Sequence, residues 1–402
     1  MTSPATPVAP PTPEEVRGGV RGTYVTFTLC GFAFASWASR IPQVRDHLGL
    51  SPAQLGLVLL AIATGSLVAL PLAGPVVHRL GSQRTVQAMS LLLALALAVI
   101  ALGYLAGLVP VVVGLFLFGF GTGAWDVGMN VQGALVERHL GRSIMSRFHA
   151  GYSFGTVAGA LLGAAMVALH VPVTVHLLLV AAVIAAVVPW GAREFVHDAA
   201  GVEEHEDHGG RSAMAAWREP RTLLVGLFVL AFAFTEGTGN DWVSVAMIDG
   251  YGVPAAIGTL CFALFLAAMT VGRWFGPGLL DRHGRVAVLR VLCALGIAGS
   301  LLFVFAPVTP LAFVGAVVWG LGASLGFPVG MSAGADEPRY AAGRVSVIAS
   351  IGYCAFLAGP PAVGFLGDEY TVLRALMSVS VLLVLAALIT PVLAPPRAAR
   401  AD

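Results

Sequence analysis

Apolar runs of about 20 residues recur along nearly the whole chain, and no other feature limits the fold as severely. Lipid offers the backbone no hydrogen-bond partner, so a run of this length crosses a bilayer as an α-helix that satisfies its own N–H and C=O groups. The short alternating strands that a membrane β-barrel needs are absent. Twelve such spans are counted, over residues 22–41, 53–77, 85–106, 109–134, 148–169, 173–193, 221–247, 255–279, 286–306, 310–332, 345–366 and 371–394. At 402 residues the length alone would allow two or three soluble domains. A composition of 57% hydrophobic and 11% charged residues excludes them, and the chain reads as an all-α integral membrane protein.

Charge orients the spans. There is no lysine, so all 22 basic residues are Arg. Alternating the turns between two sides leaves only Arg40, Arg45 and Arg374 opposite the N-terminus and Arg273 inside a span, with every other Arg on the N-terminal side. This bias predicts that both termini lie in the cytoplasm, and the missing lysines with heavy use of Ala, Gly and Arg suggest a GC-rich bacterial genome and so a bacterial inner membrane. Residues 1–20, rich in Pro, Ala and Thr, read as a disordered cytoplasmic tail, and the first span reads as uncleaved. Residues 194–220 break the apolar pattern with an acidic run between spans six and seven. The predicted domains are therefore a six-helix bundle over 21–193, a cytoplasmic loop over 194–220, a second six-helix bundle over 221–394 and a cytoplasmic tail over 395–402. His197, His205 and His208 in the loop lack the rigid spacing of metal ligands, so no metal is expected. Cys30, Cys261, Cys293 and Cys354 each fall in an apolar run and read as small core residues. A net charge of +1 gives no reason to expect a nucleic-acid partner.

The halves are weak copies of each other. Ser51–Gly56 leads into a span ending in Gly74–Arg84, and Val253–Gly258 leads into a span ending in Gly276–Arg285. Trp125–Asn130 matches Phe327–Ser332, and Ala33-Phe34 echoes Ala233-Phe234. Such a pair forms parallel repeats about a central site.

Polar residues present in only one copy are hard to explain as scaffold. Asp126 and Asn130 stand opposite Pro328 and Ser332, and Glu236 and Asn240 opposite Ser36 and Arg40. A charge in mid-bilayer costs roughly 3 kcal/mol on insertion scales, so Asp126, Glu236, Asp241 and Arg273 must face protein or a watery cavity. Asp126, Asn130, Gly133 and Glu137 share one helical face, which is expected to look into that cavity. Asp126, Asn130, Glu236, Asn240, Asp241 and Arg273 are the candidates for substrate contact or proton coupling, with structural hydrogen bonds or permanent ion pairs as the alternative. Trp37, Trp125 and Trp242 either stack on a substrate ring or pack between helices. Arg40 is expected to snorkel to the interface and His149 to make contacts at the cytoplasmic end of span five, and both are secondary candidates. Gly151, Gly155, Gly159 and Gly163 form a smooth face for a neighbouring helix.

Twelve spans in two repeats, with the turn Gly74-x-x-x-His78-Arg79-x-Gly81-x-x-Arg84 and its second copy Asp281-Arg282-x-Gly284-Arg285, resemble the major facilitator superfamily. The resemblance implies that these residues form the gating motif between spans two and three and between eight and nine. His78 stands where the family usually has Asp, so the gating salt bridge of that Asp is not carried over to the first copy. Ser36–Ser51, Asp126–Gly133, Arg147–Thr156 and Glu236–Trp242 resemble the MosC-type branch, named for a rhizobial membrane protein associated with rhizopine, an inositol-derived amine. The resemblance implies a monomeric secondary active transporter in the lipid bilayer, with a small-molecule substrate, a proton as coupling ion and no cofactor. Three intramembrane carboxylates against one mid-span Arg suit a neutral or cationic sugar, polyol or inositol-like amine. A proton antiporter exporting a drug or metabolite is the alternative, and a non-transporting receptor a remote one. No GxxxxGK[ST] motif is present for ATP-driven pumping and no catalytic constellation stands out, so an enzyme is not expected.

Overall fold

The computed structural model describes residues 11–142, 144–197 and 214–395, and these are helical almost throughout. Span one is Pro13–Ala38. Thr12 starts it with a reciprocal cap, accepting from the Glu15 amide while the Glu15 carboxylate accepts from its own, and Pro13 sits where no N–H is needed. The helix therefore begins inside the segment expected to be a disordered tail. Spans two and three are one run, Pro52–Gly103, started by a similar cap between Ser51 and Gln54 and broken at Gly81. Spans four to nine are Leu108–Leu140, Met145–Ala168, Val173–Ala192, Pro220–Tyr251, Ala255–His283 and Arg285–Phe305. Span eleven is Ala341–Glu369. Two spans are discontinuous. Span ten is Thr309–Ala323 and Gly326–Gly334, and span twelve is Val372–Ala375, Met377–Ile389 and a 3-10 turn. A short helix not expected from hydropathy, Ile41–Leu48, joins spans one and two.

Among the described residues 10 helical stretches are long and apolar enough to cross a membrane, and the 52-residue stretch supplies two spans. Span one, 26 residues long, is more polar but completes the twelve. The repeat is visible in the backbone. Gly81 has φ 80° and ψ 161°, and Gly284, its counterpart, has φ 76° and ψ 161°. Both turns need a conformation that glycine alone adopts without strain.

Spans one to six pack on one another and spans seven to twelve on one another, giving two six-helix bundles that meet where span two touches eleven and five touches eight. The glycine face of span five lies on span one, as expected. A Cβ at Gly155 would overlap the Thr28 carbonyl, and one at Gly163 the Ser39 side chain. Cys30, Cys261 and Cys293 are buried, but Cys354 is exposed on span eleven and is not a core residue.

The end that carries both described termini is termed basal, and the other distal. The bundles are sealed together distally. A Cβ at Gly56 would overlap the Pro360 carbonyl, and Gly364 packs on Pro52. Asp368 accepts hydrogen bonds from Ser51 Oγ at 3.0 Å and the Ala53 amide at 3.2 Å, capping span two from the other bundle. Arg45 donates to Asp249 at 2.9 Å and to Asp46 at 2.7 Å. The basal ion pairs Arg21–Glu194, Arg221–Asp336, Arg285–Asp336, Arg344–Glu219 and Arg344–Glu337 each stay within one bundle.

Candidate functional site

The site is assembled around a defect in span ten. Proline has no N–H, so Pro328 cannot donate to the carbonyl four residues back, which is that of Ser324, and the helix breaks there. Arg273 of span eight takes the freed acceptor, its Nε donating to the Ser324 carbonyl at 3.2 Å. Its Nη2 donates to Glu236 of span seven at 2.7 Å. Irregular backbone at membrane depth is tolerated when protein satisfies it in this way. The mid-span arginine is thus tied to two other spans of its own bundle, and only part-buried, with 27% of its side chain and 18% of that of Glu236 exposed.

Asp126 in the other bundle is in a different position. Its carboxylate accepts from Asn130 Nδ2 at 3.2 Å, and the same amide donates to the Asp126 carbonyl at 2.8 Å. Asn130 is thus folded onto its own helix, and among the described residues Asp126 has no ion pair to another span. Asp126 is exposed in mid-span, as are Pro328 and Ser332 at the matching positions of the second repeat. The rest of the expected polar stripe does not share this opening. Gly133 packs on Met145 and Phe148, and Glu137 accepts the amides of Ile144 and Met145 at 2.7 Å, capping the start of span five.

Tyr152 of span five and Tyr353 of span eleven are half-buried within their spans. The two tyrosines were not singled out by the sequence. Their one signal there is a phenol in the middle of an apolar run. His149 is exposed near the basal end of span five and meets the Phe27 ring edge-on at 5.1 Å. Asp241 is half-buried with no hydrogen bond or ion pair among the described residues, and Asn240 Oδ1 and Thr238 Oγ1 are buried without partners. Span seven thus offers one paired carboxylate, one unpaired carboxylate and an amide oxygen within two turns.

Several expected residues lie elsewhere. Trp37, Trp125 and Trp242 are 2%, 0% and 0% exposed, so they pack in the bundle cores and present no ring face for a substrate to stack on. Arg40 does not snorkel. It is buried, donating from Nε to His176 Nδ1 at 2.9 Å and from Nη2 to the Val171 carbonyl at 3.1 Å, away from the central site. Gly74, His78, Arg79, Arg84, Asp281 and Arg282 are exposed at the basal end and carry no ion pair among the described residues. Arg285 alone of the motif is engaged, donating to Asp336 at 2.6 Å. His205 and His208 lie outside the described residues, among which no cluster could hold a metal.

Two helical bundles with an ion pair at membrane depth define a membrane transporter fold. Residues 23–355 match the family model of the Major Facilitator Superfamily, and the chain belongs to that superfamily. It is 32% identical over 381 residues to an uncharacterized transporter of Sinorhizobium fredii, y4wD, a match covering 93% of this chain and 97% of the relative. It is 28% identical over 362 residues to membrane protein MosC of Rhizobium meliloti, covering 87% and 84%, so the MosC resemblance is borne out. A mutant of the nucleoside transporter NupG has the same fold, with a TM-score of 0.78 at 14% identity over 94% of this chain and 99% of that one.

Proposed function

We propose that this multi-pass transporter moves a small polar solute, a sugar, polyol or inositol-like amine, by alternating access coupled to protons. One observation carries the reading. The exposed mid-span carboxylate of Asp126 on one bundle and the part-exposed Glu236–Arg273 pair on the other supply charged groups at membrane depth from both halves. Alternating access needs a site lined by both halves, and proton coupling needs a carboxylate free to change its charge. Asp126 and Asp241 are the carrier candidates, because Glu236 is already committed to Arg273. Three carboxylates against one guanidinium favour a neutral or cationic solute over an anion. Asn130, Asn240, Tyr152 and Tyr353 supply the hydrogen bonds a hydroxylated solute requires.

The arginine bias supports placing both termini, and with them the basal end, in the cytoplasm of a bacterial cell. Residues 21–193 and 221–394 then act as the two rocking units of a monomer.

The test is solute-driven proton movement in proteoliposomes carrying a pH-sensitive dye, across polyols, amino sugars, amino acids and cationic drugs. A polyol or amino sugar that moves protons with the wild type, and not with Asp126→Asn, is the expected result. Solute exchange without proton movement, unchanged in Asp126→Asn and Asp241→Asn, would remove the coupling. Preference for a carboxylate or phosphate compound would remove the substrate class.

A further inference from the structure

The distal half of span eleven has two faces. Pro360 and Gly364 press on span two. On the opposite side Ala362, Leu366 and Tyr370 border a groove of about 580 Å³, whose other wall is span twelve with Val381 and Leu382 and whose deep end is Phe234. The walls belong to helices apolar enough to cross a membrane, so the medium outside the groove is lipid. Its distal mouth carries Arg374 and the exposed ring of Tyr370. Of the three distal arginines, Arg40 is engaged by His176 and Arg45 by Asp46 and Asp249. Arg374 is exposed, and its guanidinium has no partner among the described residues. Its backbone is fixed by the amide's hydrogen bond to Thr371 Oγ1 at 3.1 Å. Glu369, the nearest acid in sequence, makes no ion pair with it.

We propose that this groove holds one anionic phospholipid of the distal leaflet, with an acyl chain lying between spans eleven and twelve as far as Phe234 and the phosphate on Arg374. A guanidinium matches a phosphate in charge and in fork geometry, and a tyrosine at the headgroup level suits the interface. The apolar depth of the slot selects a lipid over free phosphate, which would use the mouth alone. The lipid would lie behind the segment that seals the distal end.

The test is native mass spectrometry of the delipidated full chain, given phosphatidylglycerol and phosphatidylcholine of identical acyl chains, with glycerol phosphate as a competitor. Wild type should retain phosphatidylglycerol about fivefold better than phosphatidylcholine, the contribution of one interfacial guanidinium. Arg374→Gln should bring that ratio close to one, and Ala362→Phe, which fills the slot, should lower retention of both lipids, with thermal unfolding checked for each variant. Equal retention of the two lipids by wild type, or an unchanged preference in Arg374→Gln, would overturn the proposal. So would displacement by glycerol phosphate as effective as by lipid. The readout is binding, so it stands apart from any failure of the transport assay.

Discussion

Asp126 and Glu236 are both mid-span carboxylates, yet their electrostatic company differs, and substitutions should separate them. Asp126 bonds only to its own helix, and Asn130 keeps its contact with the backbone carbonyl when the carboxylate is gone. Asp126→Asn is therefore expected to leave thermal stability within about 0.5 kcal/mol of wild type while abolishing proton movement. Glu236→Gln strands the Arg273 guanidinium at membrane depth. Because both groups are part-exposed, the loss should be about 2 kcal/mol, below the value for a fully buried pair. The double variant Glu236→Gln with Arg273→Gln should recover most of it, and a thermal-unfolding cycle over the four proteins measures the coupling. Additive losses would show that the pair does not hold the bundle. The identity of these residues could be read from the apolar runs around them. That Asp126 is open and Glu236 paired could not, because the partner of Glu236 lies 37 residues away on another span.

Helices in this chain are positioned by what they lack. Span ten lacks one N–H at Pro328, and the Ser324 carbonyl passes to Arg273. Pro328→Ala restores the donor, so span ten should close, with an unfolding temperature equal to or above wild type and transport slowed severalfold as Arg273 loses an acceptor. Transport at the wild-type rate would mean that the break does not position Arg273. Span five lacks side chains along its glycine face, and Gly155 touches the Thr28 backbone. Gly155→Val should cost about 3 kcal/mol by overpacking and lower the folded yield, whereas Gly278→Ala, with open space around it, should be neutral or stabilising. Fluorescence-detected size exclusion after heating distinguishes the two. The close-packing face was legible as a four-residue period of glycines. Its partner, span one, was decided by three-dimensional packing.

The whole molecule is held with its distal end closed by Arg45–Asp249 and by Asp368 on the start of span two. Asp249→Asn combined with Asp368→Asn removes differential stabilisation of this state, so the population should shift toward a distal opening. Spin labels on the distal ends of spans two and eleven should report a longer distance, and an unchanged distribution would count against a lock at these residues. The basal network behaves differently. Burial pulls the Glu219 carboxyl up, but hydrogen bonds from Arg344 and Thr222 outweigh it and hold it below the usual carboxylate range. A depressed carboxylate stabilises the fold above its ordinary value and stops doing so as pH falls through the folded value, so the stability gap between wild type and Glu219→Gln should narrow below about pH 4. The sequence by itself determined twelve spans, two related halves, the superfamily and the mid-membrane carboxylates, because a bilayer applies a local test to every run of about 20 residues. Only the tertiary structure decided that the three tryptophans are core, that Arg40 meets His176, and that the distal end is shut. Those contacts join residues 136 positions apart for Arg40 and 317 apart for Ser51 and Asp368, and no local pattern of hydropathy encodes them.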